Sequence, residues 1–419
     1  MLKRVKIPYI LAMVGIILPL VLTSLEARDI DMQNTVVPKP MPSATVFRVY
    51  MPGLPIMPAS TLRTTAGSSA TPTAAPTATP SPWPTTVVHE VRSPSGGVRS
   101  YTSLADYPRP IPDTGYGFHI NGSPYPPNKD IMQKEVVPLL NSLGASWVTV
   151  WAADPNQVES VKVLVDNGFQ VILRYHPIGK PHPYYVPPVQ ELAKYVAIGV
   201  NYFVTGNEPN LTAENTSTNA DDIARQWWLS ANHIKEAGGI PLLYPMSPGG
   251  DIMNHRTMLE RIMLWLKNNG ALGTFDNAGV AVHNRPHNKP LDVRDDTSFL
   301  EYEWIDDLMI SYLGHSIPIF GTEAGYTLGD LVDKNYPRID DNMHRDYNLA
   351  IIQGFQTARW RDSLFTQDFW LLGEFGHYAF PAEWWIKNPI YYGKDLPIVE
   401  ALRNMPKSPR MFKSGGYTP

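Results

Sequence analysis

The sequence predicts an α/β fold, a (β/α)8 barrel spanning residues 114–405. An N-terminal signal or anchor segment and a Pro/Thr-rich linker precede it. Three observations carry this prediction. Eight short β-prone runs follow one another from Tyr116 to Glu374, and a helix-like segment of eight to seventeen residues follows each. Together they span about 290 residues, the length of eight such units. The competing doubly wound open sheet is weakened by the count of eight and by the missing G-x-G-x-x-G after the first strand.

The elements come in order. Lys3, Arg4 and Lys6 precede the uncharged stretch Ile7–Thr23, "IPYILAMVGIILPLVLT". A basic flank before an apolar run reads as an export signal, and the run is about the minimum length for a bilayer span. Cleavage near residue 27 and retention as an anchor both fit; in the second case the basic flank stays inside. Either way the body is expected to be extracellular or at the cell surface, meeting membrane only through this segment. Residues 28–113 include "AGSSATPTAAPTATPSPWPTT" (Ala66–Thr86), which is almost uncharged and rich in Pro, Thr, Ala and Ser. Such a composition buries too little apolar surface to offset ordering entropy and reads as a disordered spacer.

Strands are predicted at 116–120, 146–151, 170–176, 202–208, 241–247, 279–284, 318–324 and 368–374. Helices are predicted at Ile131–Ser142, Gln157–Asn167, Pro188–Ile198, Asp221–Ala237, Arg256–Asn268, Glu301–Leu313, Arg345–Ala358 and Pro397–Asn404. Several helices end in Gly or Asn ("NSLGAS", "VDNGF", "KEAGG", "KNNGA"), the residues that tolerate a left-handed stop. Residues 406–419 form a tail.

Bulk composition excludes some classes. The net charge of −4 gives no basic footprint for nucleic acid. The chain has no cysteine, which removes disulfides and thiolate metal sites.

In a barrel of this type the reactive groups sit at the C-terminal ends of the strands. Read there, the chain offers His119, Trp151, His176, Asn207 with Glu208, Ser247, His283 with Asn284, Glu323 and Glu374. Two ends match: "GNE" at 206–208 and "GTE" at 321–323, each an apolar run, a glycine, one polar residue and a glutamate. Two carboxyl groups on one rim are the minimum equipment of glycoside hydrolysis, one to donate a proton and one to attack or to activate water.

With "GNEPN" closing strand four and "GTEAGY" closing strand seven, the sequence resembles the clan A glycoside hydrolases, retaining enzymes on a (β/α)8 barrel. The resemblance implies that Glu208 is the acid/base, Glu323 the nucleophile, and that Asn207 holds the substrate 2-hydroxyl. It implies His283 beside the nucleophile and Trp370 beneath the sugar. The clan's arginine near strand two has Arg174 on strand three as its nearest counterpart. Glu374 is assigned a structural or substrate-binding role. The substrate is then a poly- or oligosaccharide, and no cofactor is needed.

Other residues invite other readings. His119, His176, His283 and His287 raise a metal hydrolase, yet no His-x-His ends the first strand and no H-E-x-x-H helix occurs, so no metal is expected. A non-catalytic glycan-binding barrel would keep aromatic platforms without a matched glutamate pair. Trp151, Tyr326, "HPYY" (182–185) and "EWW" (383–385) are candidate stacking surfaces. Asn210 and Asn215 begin N-x-S/T sequons directly behind the strand-four motif, where a glycan would crowd the rim, and are read as chance.

Overall fold

The computed structural model describes residues 103–176, 185–215, 217–376 and 378–414. The export segment, most of the linker and His182–Tyr184 lie outside the described residues. Among the described residues no helix is long and apolar enough to cross a membrane.

Eight parallel strands close into one barrel in sequence order. They are β1 (Tyr116–His119), β2 (Trp147–Ala152), β3 (Gln170–Tyr175), β4 (Tyr202–Val204), β5 (Ile240–Leu243), β6 (Gly279–Val282), β7 (Ile319–Ala324) and β8 (Leu364–Phe369). β8 closes on β1 through Gly117↔Asp368. The outer layer is α1 (Lys129–Ile131), a π turn (Met132–Val136), α2 (Val137–Leu143), α3 (Val158–Asp166), α4 (Val189–Ala197) and α5 (Ala220–Glu236). It continues with α6 (His255–Asn268), α7 (Glu301–Leu313), α8 (Asp341–Gln356) and α9 (Pro397–Asn404). The glycine stops behave as their chemistry dictates: Gly144 caps α2 at φ 74°, and Gly168, Gly238 and Gly270 stand at φ 90°, 90° and 67° just past α3, α5 and α6, where a Cβ is penalised.

The N-terminal end of the lumen is filled by rings. Trp147, Tyr202, Phe320 and Phe365, from β2, β4, β7 and β8, pack at centroid distances of 4.6–6.3 Å, so this end is a packed core. Residues 103–113, which composition leaves in the linker, close it from below. Tyr107 stacks edge-on against Phe365 and donates to the Ala278 carbonyl, and buried Arg109 pairs with Asp113 at 2.9 Å. The tail joins them: Arg410 donates to the Leu364 and Phe365 carbonyls. The barrel body therefore begins before Thr114 and ends after Met405.

One strand lies elsewhere than predicted. β8 is Leu364–Phe369, four residues upstream of the expected start, and all six residues are buried. Thr366, Gln367 and Asp368 break the apolar run that marks a buried strand in sequence, because barrel closure brings them polar partners: Thr149 and Thr366 donate to Asp368, and Asn284 donates to Gln367. β4 ends at Val204 and β5 at Leu243, so Asn207, Glu208 and Ser247 stand on loops above them.

Candidate active site

Glu323 is the penultimate residue of β7, and Glu208 follows β4 by four positions. Both matched glycines have a packing cause. A Cβ on Gly206 would lie 2.6 Å from the Tyr244 ring, and one on Gly321 would lie 2.4 Å from the Gln367 amide. Glu208 itself has φ 35°, a left-handed backbone that costs a side-chain-bearing residue of the order of 1–3 kcal/mol. The surroundings enforce it: the Glu208 N–H donates to the Pro245 carbonyl at 3.0 Å, and its carbonyl accepts from Leu211 N at 2.9 Å.

One imidazole faces both carboxyl groups. His283, just past β6, places Nδ1 2.8 Å from Glu208 Oε1 and Nε2 3.6 Å from Glu323 Oε1. Arg174 on β3 donates to Glu323 Oε1 at 3.0 Å, both side chains being about nine-tenths buried. Arg285 brings a second guanidinium to 3.9 Å from Glu323 Oε2. It is held by Glu383 at 3.2 Å and Thr327 at 3.1 Å, and Thr327 also donates to Glu383. Two guanidinium groups and one imidazole thus converge on Glu323.

Burial pushes the Glu208 carboxyl up, but His283, Arg174 and a hydrogen bond from Ser247 outweigh it, and the net displacement is downward. Glu214, six residues on, goes the other way. Its half-buried carboxyl is raised by burial and by the nearby charges of Glu208 and Glu323, against the pull of Arg174 and a hydrogen bond from Asn207. The rim therefore holds two carboxyl groups displaced in opposite directions around one asparagine.

His119, Thr149, Arg174, His283, Thr322 and Glu323 line one concavity. His119 is fully buried with neither ring nitrogen hydrogen-bonded, and burial followed by the charge of Arg174 holds it well below the usual imidazole range. Trp370 follows β8 directly and packs edge-on against His119 at 4.6 Å. Trp151 is half-buried, with the Arg174 guanidinium 4.5 Å from its ring. His176 stacks parallel to Trp151 at 6.3 Å, and burial lowers it to about 4.

Two predicted contact residues lie away from this constellation. Tyr326 is 1% exposed, with its hydroxyl donating to the Lys289 carbonyl at 2.6 Å, so it has no surface to offer a ligand. Glu374 is exposed, five residues beyond β8, and accepts from Gly376 N–H; misplacing the strand put it on the rim. The "EWW" stacking surface also fails, because Trp384 and Trp385 are 5% and 1% exposed. In the described part of "HPYY", the Tyr185 hydroxyl donates to Glu191. Among the described residues, no group of three His, Asp or Glu is placed to hold a metal ion.

Sequence reading missed Arg285 and Glu214, and took Glu383 only as part of the "EWW" stacking surface. Arg285 directly follows His283–Asn284 and was reachable by reading one residue further past β6. Glu214 and Glu383 stand deep in loops, with no periodic signal to mark them.

No family model and no curated protein matches the chain. Solved structures with distant likeness include a glucosidase from Croceicoccus marinus, at 12% identity over 70% of this chain and 68% of that one, TM-score 0.45. A GH128 subgroup II endo-β-1,3-glucanase from Sorangium cellulosum has 12% identity over 70% and 97%, TM-score 0.41. A family 51 α-L-arabinofuranosidase from Bifidobacterium longum has 12% identity over 63% and 67%, TM-score 0.40.

Proposed function

We propose that this chain is a retaining glycoside hydrolase of the clan A type, cleaving O-glycosidic bonds of a poly- or oligosaccharide. The observation that carries this is the single His283 imidazole facing Glu208 at 2.8 Å and Glu323 at 3.6 Å, which sets two carboxyl groups on one side of the barrel. Glu323 attacks the anomeric carbon as the bond to the leaving oxygen breaks, and Glu208 gives that oxygen its proton. Water then adds to the glycosyl-enzyme, losing a proton to Glu208 and releasing Glu323. Arg174 and Arg285 fix the attacking carboxylate. Asn207 is assigned to the sugar 2-hydroxyl and half-buried Trp151 and His176 to flanking the ring, while Trp370 and His119, 6% and 0% exposed, form the floor beneath it.

A donor must carry its proton at working pH. Because Glu208 is displaced downward in the free protein, this assignment calls for an acidic optimum. The upward displacement of Glu214 favours a second assignment, with Glu214 as donor. One experiment separates them: full-length wild type, Glu208→Gln, Glu214→Gln and Glu323→Gln assayed on aryl glycosides of graded leaving-group acidity, with the product anomer followed by NMR. The donor variant should lose kcat/KM on poor leaving groups and keep much of it on dinitrophenyl glycosides, whose departure needs no proton, while its kcat falls because the second step lacks its base. Glu323→Gln should be inert on all of them. An inverted product, or normal turnover by Glu323→Gln, refutes the double-displacement reading. Loss of wild-type activity on chelation would favour a metal-dependent hydrolase instead.

A further inference from the structure

The connection between β8 and α9 exposes three large rings, Tyr378 at 65%, Phe380 at 54% and Tyr392 at 90%, and the first two pack on other rings. Single exposed aromatics are ordinary; Phe380 ends a path of rings that starts at the cleft, and Tyr378 lies on Trp384, which clusters with Trp370. Phe380 packs on Trp370 at 5.3 Å, and Trp370 packs on His119 at 4.6 Å, which shares the concavity of Glu323 and His283. Tyr378 lies against Trp384 at 5.2 Å. The segment is fixed rather than draped. The Trp384 indole donates to the Ala379 carbonyl at 2.8 Å, Glu383 N–H donates to the Phe380 carbonyl at 2.9 Å, and Glu383 itself is tied to Arg285. Phe380 has φ 48°, a disfavoured backbone for a bulky residue. Its ring presses on the β1–α1 loop, where a Cβ on Gly122 would lie 2.6 Å away. Backbone strain is thus spent on holding a half-exposed ring beside the cleft.

We infer that Tyr378 and Phe380 form an outer sugar platform, so that the occupant of this cleft is an extended pyranose chain running past Trp370 onto the β8–α9 loop. This rests on the hydrolase reading and adds to it that the substrate is a polymer rather than a short oligosaccharide. The chemistry fits: a pyranose offers an apolar C–H face to a ring and hydroxyls to its edges, and aromatic rings are amphipathic in the same sense. A second copy of the chain is a poorer occupant. A ring buries about 150–250 Å² when fully covered, so two half-exposed rings fall far short of the roughly 1,200 Å² of a stable interface.

The test uses full-length protein and its Tyr378→Ala/Phe380→Ala variant, with Tyr378→Ala alone as a milder change and Tyr378→Phe/Phe380→Tyr as the conservative one. Affinity electrophoresis through soluble β-glucan, xylan, xyloglucan and galactomannan reads binding independently of turnover. For whichever glycan is cleaved, kcat/KM is measured on oligosaccharides of two to eight units. The expected result is that the ratio of kcat/KM on long to short chains falls about ten-fold in the alanine variants, equivalent to about 1.4 kcal/mol. Gel retardation should weaken in parallel, and the conservative variant should restore both. An unchanged ratio in a folded variant overturns the platform, as does a wild-type dimer that the substitutions dissociate. Ring-dependent retardation without any cleavage would refute the hydrolase reading and leave the platform standing.

Discussion

Asp368→Asn should stabilise the protein increasingly as pH rises from about 4 to about 7, with little effect at pH 4 and a constant gain above 7. Asp368 is fully buried on β8, accepting from Thr149 Oγ1 at 2.6 Å and Thr366 Oγ1 at 2.7 Å. Burial pushes its carboxyl from 3.8 up to about 7, and the two hydroxyls pull back only part of that. A group raised on folding binds a proton between its two pKa values. Its stabilising contribution is complete below 3.8 and is lost as pH rises through about 7. The displacement corresponds to roughly 4 kcal/mol. Asparagine has the shape and hydrogen-bonding capacity of the protonated acid and never ionises, so it escapes that loss. Denaturant unfolding of both proteins from pH 4 to pH 8 tests this. The stability difference, variant minus wild type, should grow with pH by a few kcal/mol. A difference constant across the range would show that Asp368 does not titrate there, and the argument from burial would fail.

Four further outcomes follow from the same geometry. Arg174→Met leaves Glu323 buried without its closest cation, which costs about 3–5 kcal/mol for a broken buried pair; His283 and Arg285 remain, so about 3 kcal/mol is expected, and a loss under 1 kcal/mol by urea titration would contradict it. His283→Gln removes the largest influence lowering Glu208. If Glu208 is the donor, the alkaline limb of kcat/KM should move to higher pH, and an unmoved limb counts against that assignment. Gly117→Ala would put a Cβ 1.9 Å from the Trp147 carbonyl oxygen, whereas Gly273→Ala meets nothing closer than 3.7 Å; the first should lose about 3 kcal/mol or more and the second should unfold near wild type. Finally, the Asn210 amide donates to the Ser247 carbonyl at 2.8 Å and the Asn215 amide to the Pro209 carbonyl at 2.6 Å. Folded protein from a glycosylating host should therefore carry no glycan at either site, which intact mass will show.

How far each part was legible in sequence depends on the range of the interaction behind it. Helix α7 was readable residue for residue, and Gly144 was a recognisable stop, because period and left-handed caps are properties of neighbouring residues. The matched glutamates were legible for the same reason, each being marked by a strand end and a glycine. Closure of the barrel decided the rest. Whether a polar residue on β8 is a lumen residue or a loop residue depends on Thr149, which lies 219 positions away, and so the strand was misplaced and Glu374 misassigned with it. Trp384 and Trp385 read as surface aromatics until folding buried them, leaving Tyr378 and Phe380 exposed in their place.

The chain's own order of apolar runs, turns and strand-end carboxylates determined a (β/α)8 barrel with Glu208 and Glu323 above it. Only the tertiary structure decided that His283 faces both of them, that Arg174 and Arg285 converge on one, and that Glu208 and Glu214 are displaced in opposite directions. Periodicity is written locally, whereas proximity and electrostatic field come from residues far apart in sequence that meet only when the sheet closes.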